Sequence, residues 1–205
     1  MLDRDHTVAW MQRFAEEMAE HRQELVRLDT AIGDGDHGTN MNRGMQKALE
    51  KLEASQPADP GAVLKTVAMA LISSVGGAAG PLYGTLLLQL GTTLAGKPEV
   101  DLADFAAAWR AGLAGVKARG KADLGDKTMI DALTPAVEAI EQATDLAAGL
   151  HAAVNAAQVG MDATTPLVAR KGRASYLGDR SAGHQDPGAT STYYLFKSAA
   201  ETLAD

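Results

Sequence analysis

The chain has 205 residues, 46% apolar but only 4% aromatic, so it fits one domain, residues 1–205, with a core of Ala, Leu, Val and Met. Its net charge of −7 argues against nucleic acid as a partner, because neutralising phosphates takes a basic face. Without cysteine it has neither a disulfide framework nor thiol-ligated metal, and MLDRDHTVAW lacks the apolar run of a leader, so a cytoplasmic location is expected.

Ala and Leu favour helix while strand formers are sparse, which predicts an all-α fold. A first helix capped by Asp5 or Thr7 carries Val8, Met11, Phe14, Ala15, Met18, Leu25 and Val26 at three- and four-residue steps and ends near Gly33. A second starts near Asn40, with Met41, Met45, Ala48, Leu49 and Leu52 on one side, and closes before SQPADPG. Residues 62–74 and 82–94 form a pair inside the uncharged run from Thr66 to Gly96. That run is long enough to span a bilayer, but Gly76, Gly77, Gly80, Pro81 and Gly84 interrupt it, so a buried helical hairpin is expected rather than a membrane span. Asp101 opens a fifth helix, with Asp104 favouring its N-terminal dipole end. Residues 129–143, 145–164 and 190–204 complete a count of eight, joined mostly by short loops, as in an up-and-down, antiparallel helical bundle or barrel. Between the last two, ARKGRASYLGDRSAGHQDPGATS (169–191) has little periodicity, and a long structureless loop in a compact domain is usually functional.

The segment IGDGDHGTN (32–40) contains G-x-G-x-x-G, the dinucleotide fingerprint, but its context is wrong. A charged helix precedes it instead of a buried strand, and its carboxylates would repel a bare pyrophosphate by about 1 kcal/mol per pair at 4 Å in water. GTTLAGKP (91–98) and GVKARGKA (115–122) read G-x4-G-K but lack the Ser or Thr of a Walker loop. Asp29, Asp34 and Asp36 are better suited to a hard cation, with Gly33 and Gly35 freeing the backbone between them. An EF-hand is excluded, since the twelfth position from Asp34 is Met45. A polar turn whose aspartates cap the next helix is the competing reading.

SSVGGAAGPLYGT (73–85) leads a Gly-rich turn into a helix, which suits either an anion site or close helix packing. RGKADLGDKTMIDAL (119–133) repeats that logic, with Lys121, Lys127 and Thr128 at hand or simply a surface loop. Arg170, Lys171, Arg173 and Arg180 could meet phosphates or lie in solvent. His37 and His184 are candidate acid–base groups, metal ligands or plain hydrogen-bonding residues.

Taken in order, DTAIGDGDHGTNMNRG, LISSVGGAAGPLYGT, RGKADLGDKTMIDAL and the 169–191 loop resemble the nucleotide-binding L subunits of phosphotransferase-system-dependent dihydroxyacetone kinases. They are also similar to the C-terminal domain of the fused, ATP-dependent kinases, and the likeness covers nearly the whole chain. The resemblance implies an eight-helix antiparallel barrel in which Asp29, Asp34 and Asp36 hold two Mg²⁺ ions bridging the phosphates of ADP or ATP. It places His37, Gly38, Thr39 and Asn40 with Ala78 and Ala79 near those phosphates. Gly120, Met129, Arg173, Asp186, Pro187 and Gly188 would frame the nucleotide elsewhere, with Met129 and Pro187 against adenine. Some relatives have Ser in place of Ala79, a change that spares the backbone amide.

The implied chemistry relays a phosphoryl group from a phosphohistidine partner of the phosphotransferase system, through bound ADP, to dihydroxyacetone on a separate K subunit. Positioning and charge neutralisation do most of that work, so no catalytic nucleophile is expected in this chain. Because the chain starts at its own Met without a preceding substrate domain, the separate-subunit form is expected. The alternative is a subunit of an ATP-dependent triose or tetrose kinase with freely exchanging ATP.

Overall fold

Where periodicity predicts one long first helix there are two. In the computed structural model, which describes residues 1–204, α1 (Arg4–Glu20) and α2 (Arg22–Ile32) meet at His21. The backbone bonds run on across the junction, from His21 N–H to the Glu17 carbonyl and from Leu25 N–H to the His21 carbonyl, so the apolar period never breaks. The turn is set by tertiary contacts. The His21 ring stacks on Tyr194, and its Nδ1 lies 2.9 Å from Glu24 and 3.0 Å from the Tyr194 hydroxyl.

Then follow α3 (His37–Ser55), α4 (Pro60–Ser74), α5 (Ala79–Thr93), α6 (Leu102–Gly120), α7 (Met129–Glu141), α8 (Leu146–Ala163) and α9 (Pro187–Leu203). Nine α-helices thus stand among the described residues where eight are predicted, the extra one coming from the break at His21. The first helix is capped by Asp3, which accepts from His6 N–H, and neither Asp5 nor Thr7 takes that role. Asp3 also belongs to a two-residue strand, β1 (Leu2–Asp3), antiparallel to β2 (Glu99–Val100), a pairing too short to leave a sequence signal. The starts of α3, α5 and α9 each fall three residues ahead of their apolar period. Their first turns are polar or Gly-rich and face a site, not the core.

Asp101 opens its helix as expected, accepting from the Asp104 N–H, and Asp145 accepts likewise from Ala148 N–H. α4 starts at Pro60, two residues ahead of the expected 62, because Asp59 in the segment read as a connection caps it by accepting from Ala62 N–H, and Thr128 with Asp131 forms a capping box on α7. α1 and α3 to α9 pack one against the next in a ring that α9 closes on α1, while α2 lies over α3 and α9. Arg13–Glu201 and Lys197–Glu17 ion pairs show α1 and α9 running antiparallel. Apart from the exposed Tyr176, the few aromatics lie in or against the core, where Trp109 stacks on Phe196 and meets Trp10 and Phe105. Pro135 sits inside α7 and leaves the Asp131 carbonyl without its helical donor. Gly160 of α8 approaches that carbonyl closely, since a Cβ there would lie 2.1 Å from it. Among the described residues, no helix is long and apolar enough to cross a membrane.

Gly38 lets α3 cross α2, as a Cβ there would fall 2.2 Å from the Arg22 carbonyl. Gly38→Ala is therefore expected to destabilise the protein by about 1–3 kcal/mol, the usual cost of overpacking. Thermal unfolding checks this, and an unchanged midpoint would contradict so tight a crossing.

Candidate functional site

Four helices, α3, α5, α7 and α9, point their N-termini at two adjoining cavities of about 150 and 350 Å³. Helix N-termini carry unpaired N–H groups and the positive end of the dipole, so they favour an anion. α5 presents them most openly, because its N-cap is Ala78 with no side chain to satisfy them, and Gly77 before it turns at φ 66° with open space around it. The first cavity is lined by Asp29, His37, Ala78, Ala79, Arg173 and Asp186–Gly188 among others. The second is more apolar, with Pro81, Leu82, Val116, Gly120 and Ile130 on its walls. Met129, Ala78, Leu82 and Lys171 border both.

The aspartate loop stands at the first cavity. Asp29, at the end of α2, is nearly buried, and its Oδ2 accepts from the backbone N–H of Asp36 at 2.9 Å and of His37 at 3.1 Å. Capping of α3 therefore comes from Asp29, seven residues upstream, while Asp36 at the N-cap position makes no side-chain cap bond. Gly35, at φ 74°, allows the reversal, and one oxygen from each of Asp29, Asp34 and Asp36 lies within 4.8 Å of the other two. Such convergence of like charges is unfavourable without a counter-charge. Arg173 supplies part of it, with Nε 2.9 Å from Asp34. Three carboxylates form an all-oxygen donor set that fits a hard divalent cation.

Burial pushes the His37 imidazole down to about 4 against the pull of Asp29 and Asp34, which leaves the ring neutral. Its Nε2 meets Ser191 Oγ at 2.9 Å, and Ser191 in turn meets the Tyr83 hydroxyl at 2.7 Å. This chain from α3 through α9 to α5 escapes sequence reading, because Tyr83 and Ser191 look like ordinary helix residues there. Of the neighbours of His37, Gly38 is a packing residue and Thr39 is exposed. Asn40 is buried with its Oδ1 held by Arg43. Pro187 borders the first cavity beside Asp29 and Arg173, not the more apolar second one.

The 169–191 loop is built rather than structureless. It contains a 3-10 segment, Arg173–Ser181, kinked at Gly178, and Ile32, Ala169 and Ala174 form a small apolar cluster beneath it, against which Leu177 packs. Lys127, which is 1% exposed, ties the end of α8 to the residues just ahead of α9. Lys127 Nζ donates to the carbonyl of Thr164 at 2.6 Å and to that of His184. Lys127 and Thr128, candidate phosphate groups on sequence grounds, are thus spent on architecture: one ties a loop and the other caps α7. Burial pushes the Lys127 ammonium down, opposed by Asp186 and Asp131, and burial raises Asp186, the N-cap of α9, to about 7.

Residues 31–201 match the DAK2 domain family. The chain is 43% identical to the ADP-binding subunit of the PEP-dependent dihydroxyacetone kinase of Escherichia coli (strain K12), with 96% of this chain and 95% of that one covered. It is 40% identical to the ADP-binding subunit of the PTS-dependent dihydroxyacetone kinase of Lactococcus lactis subsp. lactis (strain IL1403), over the full length of both. The dihydroxyacetone kinase of C. freundii, solved in complex with AMP-PNP and Mg²⁺, superposes with a TM-score of 0.72 at 28% identity, covering 95% of this chain and 33% of that one.

Proposed function

The chain belongs to the DAK2 domain family, and from that premise we propose that it is the ADP-binding subunit of a dihydroxyacetone kinase charged by the phosphotransferase system. It works with a separate K subunit that holds dihydroxyacetone and with a phosphohistidine-carrying donor protein. The observation that carries the reading is the convergence of Asp29, Asp34 and Asp36 beside four helix N-termini, with an apolar cavity next door. Carboxylates alone would expel phosphates; carboxylates holding Mg²⁺ recruit them.

In this reading the three aspartates hold two Mg²⁺ ions, which supply charge neutralisation and orientation to the transferring phosphoryl group. The chain's own part is positioning. His37 to Asn40 and the open N-terminus of α5 at Ala78 and Ala79 receive phosphate oxygens. Arg173, already turned to Asp34, adds a bidentate cation where charge accumulates. Gly120 and Met129 border the apolar cavity, which takes the adenine. Asp186, Pro187 and Gly188 form the wall that the start of α9 presents between them. Because both transfers pass directly to or from groups on the partners, this chain needs neither nucleophile nor general base.

Mass spectrometry of the gently purified, intact protein tests this: ADP and Mg²⁺ should copurify and survive dialysis. With a K subunit and the phosphohistidine donor, turnover should proceed without added ATP. Loss of ADP on dialysis together with turnover on free ATP alone would instead identify a freely exchanging triose or tetrose kinase subunit.

A further inference from the structure

Two segments reach the first cavity: residues 33–40 at the head of α3, which line it with Gly33 and His37, and residues 74–79 between α4 and α5, which line it with Ala78 and Ala79. They are remote in sequence, and one side chain spans them. Arg43, on the second turn of α3, donates through Nη2 to Asn40 Oδ1 at 2.8 Å and to the Ser74 carbonyl at 3.2 Å. Ser74 is the last residue of α4, so its carbonyl has no helical donor and sits at the negative end of that helix, where a guanidinium is favoured.

The first of these bonds also fixes which way the Asn40 amide faces. Arginine only donates, so the carbonyl oxygen of Asn40 must face it, and the NH₂ group must face away. On the far side lies Gly76, for which Asn40 Nδ2 is the nearest atom, 3.5 Å from where a Cβ would stand. A glycine there and an open Gly77 leave that NH₂ unobstructed beside the entry to α5. Arg43 itself is exposed and belongs to no ion pair among the described residues, so the fold does not depend on it as a buried charge.

We propose that Arg43 is a positioning residue for the nucleotide phosphates, setting the Asn40 amide and the spacing between the 33–40 and 74–79 segments through its two carbonyl contacts. The proposal rests on the nucleotide reading above. It predicts a loss specific to phosphate, transmitted through Asn40.

The experiment measures ADP and adenosine binding to the full chain with Mg²⁺ present, for wild type, Arg43→Ala, Arg43→Lys, Asn40→Ala and the Arg43→Ala/Asn40→Ala double variant. Arg43→Ala should weaken ADP about tenfold, the scale of a hydrogen bond from a charged donor, with adenosine affinity and unfolding midpoint unchanged. Arg43→Lys should recover part of the loss, since a single ammonium can reach one carbonyl but not present the planar fork. In the Asn40→Ala background, Arg43→Ala should cost markedly less than it does alone. Undiminished ADP affinity in Arg43→Ala, an equal loss for adenosine, or fully additive penalties would each overturn the proposal. A wild-type chain that binds no ADP at all would bring down the nucleotide reading, and this proposal with it.

Discussion

Replacing Asp36 by alanine is expected to abolish useful Mg²⁺-dependent ADP binding while leaving the fold intact. Asp36 is exposed, occupies the N-cap position of α3, and yet contributes no cap bond, because Asp29 already accepts the Asp36 and His37 N–H groups. Its removal also relieves repulsion within a cluster whose oxygens lie within 4.8 Å of each other, so the apo protein should be no less stable. Losing a direct ligand should exceed the 10–100-fold usual for outer-shell partners, so at least a ~100-fold weakening is expected. Asp29→Ala should behave differently, with the same loss of binding but a lower unfolding midpoint, since two backbone N–H groups lose their acceptor. Calorimetric titration of ADP with and without Mg²⁺, paired with thermal unfolding, separates the two variants. ADP affinity in Asp36→Ala within a few-fold of wild type would sink the metal assignment.

The second large effect concerns stability. Lys127→Met keeps the length of the side chain but strips the donor that ties the Thr164 and His184 carbonyls together. Stranding those two buried carbonyl acceptors typically costs about 1–3 kcal/mol each. For a chain of this size that is a drop on the order of 10 °C in unfolding midpoint. Lys127 itself stands in the left-handed region at φ 62°, a conformation that needs surrounding bonds to hold it. ADP affinity should fall in parallel, because the loop end that Lys127 secures leads directly into Asp186–Gly188. A midpoint within ~2 °C of wild type would mean that the bonds to Lys127 add nothing net.

Much of the fold is legible in the sequence because helices announce themselves through a 3.6-residue period and through capping chemistry. Asp101 and Asp145 mark the starts of their helices with local rules that tertiary structure does not override. The bend at His21 is invisible for the opposite reason: the period continues through it, and the contacts that turn the chain come from Tyr194 at the other end of the sequence. The starts of α3, α5 and α9 are misplaced wherever apolar residues are the guide, since a first turn that lines a cavity does not carry the apolar period of the core-facing turns that follow.

In the site, residue type and spacing bring out the aspartates, the Gly-rich turns and Arg173. They do not reveal that Asp29 doubles as the cap of α3, nor that Lys127 is an anchor instead of a phosphate ligand. Both roles depend on partners many residues away.

The ring of helices sorts its connections by end. Those leading into α3, α5, α7 and α9 meet at the aspartates, whereas residues 56–59, 94–101 and 142–145 join the helices at the opposite pole. Chemistry and chain closure are thereby uncoupled. Insertions at 56–59 or 142–145 are therefore expected to leave the site-facing atoms in place, whereas 94–101 carries β2 and is tied to β1, and a partner that must reach the aspartates has one pole at which to approach.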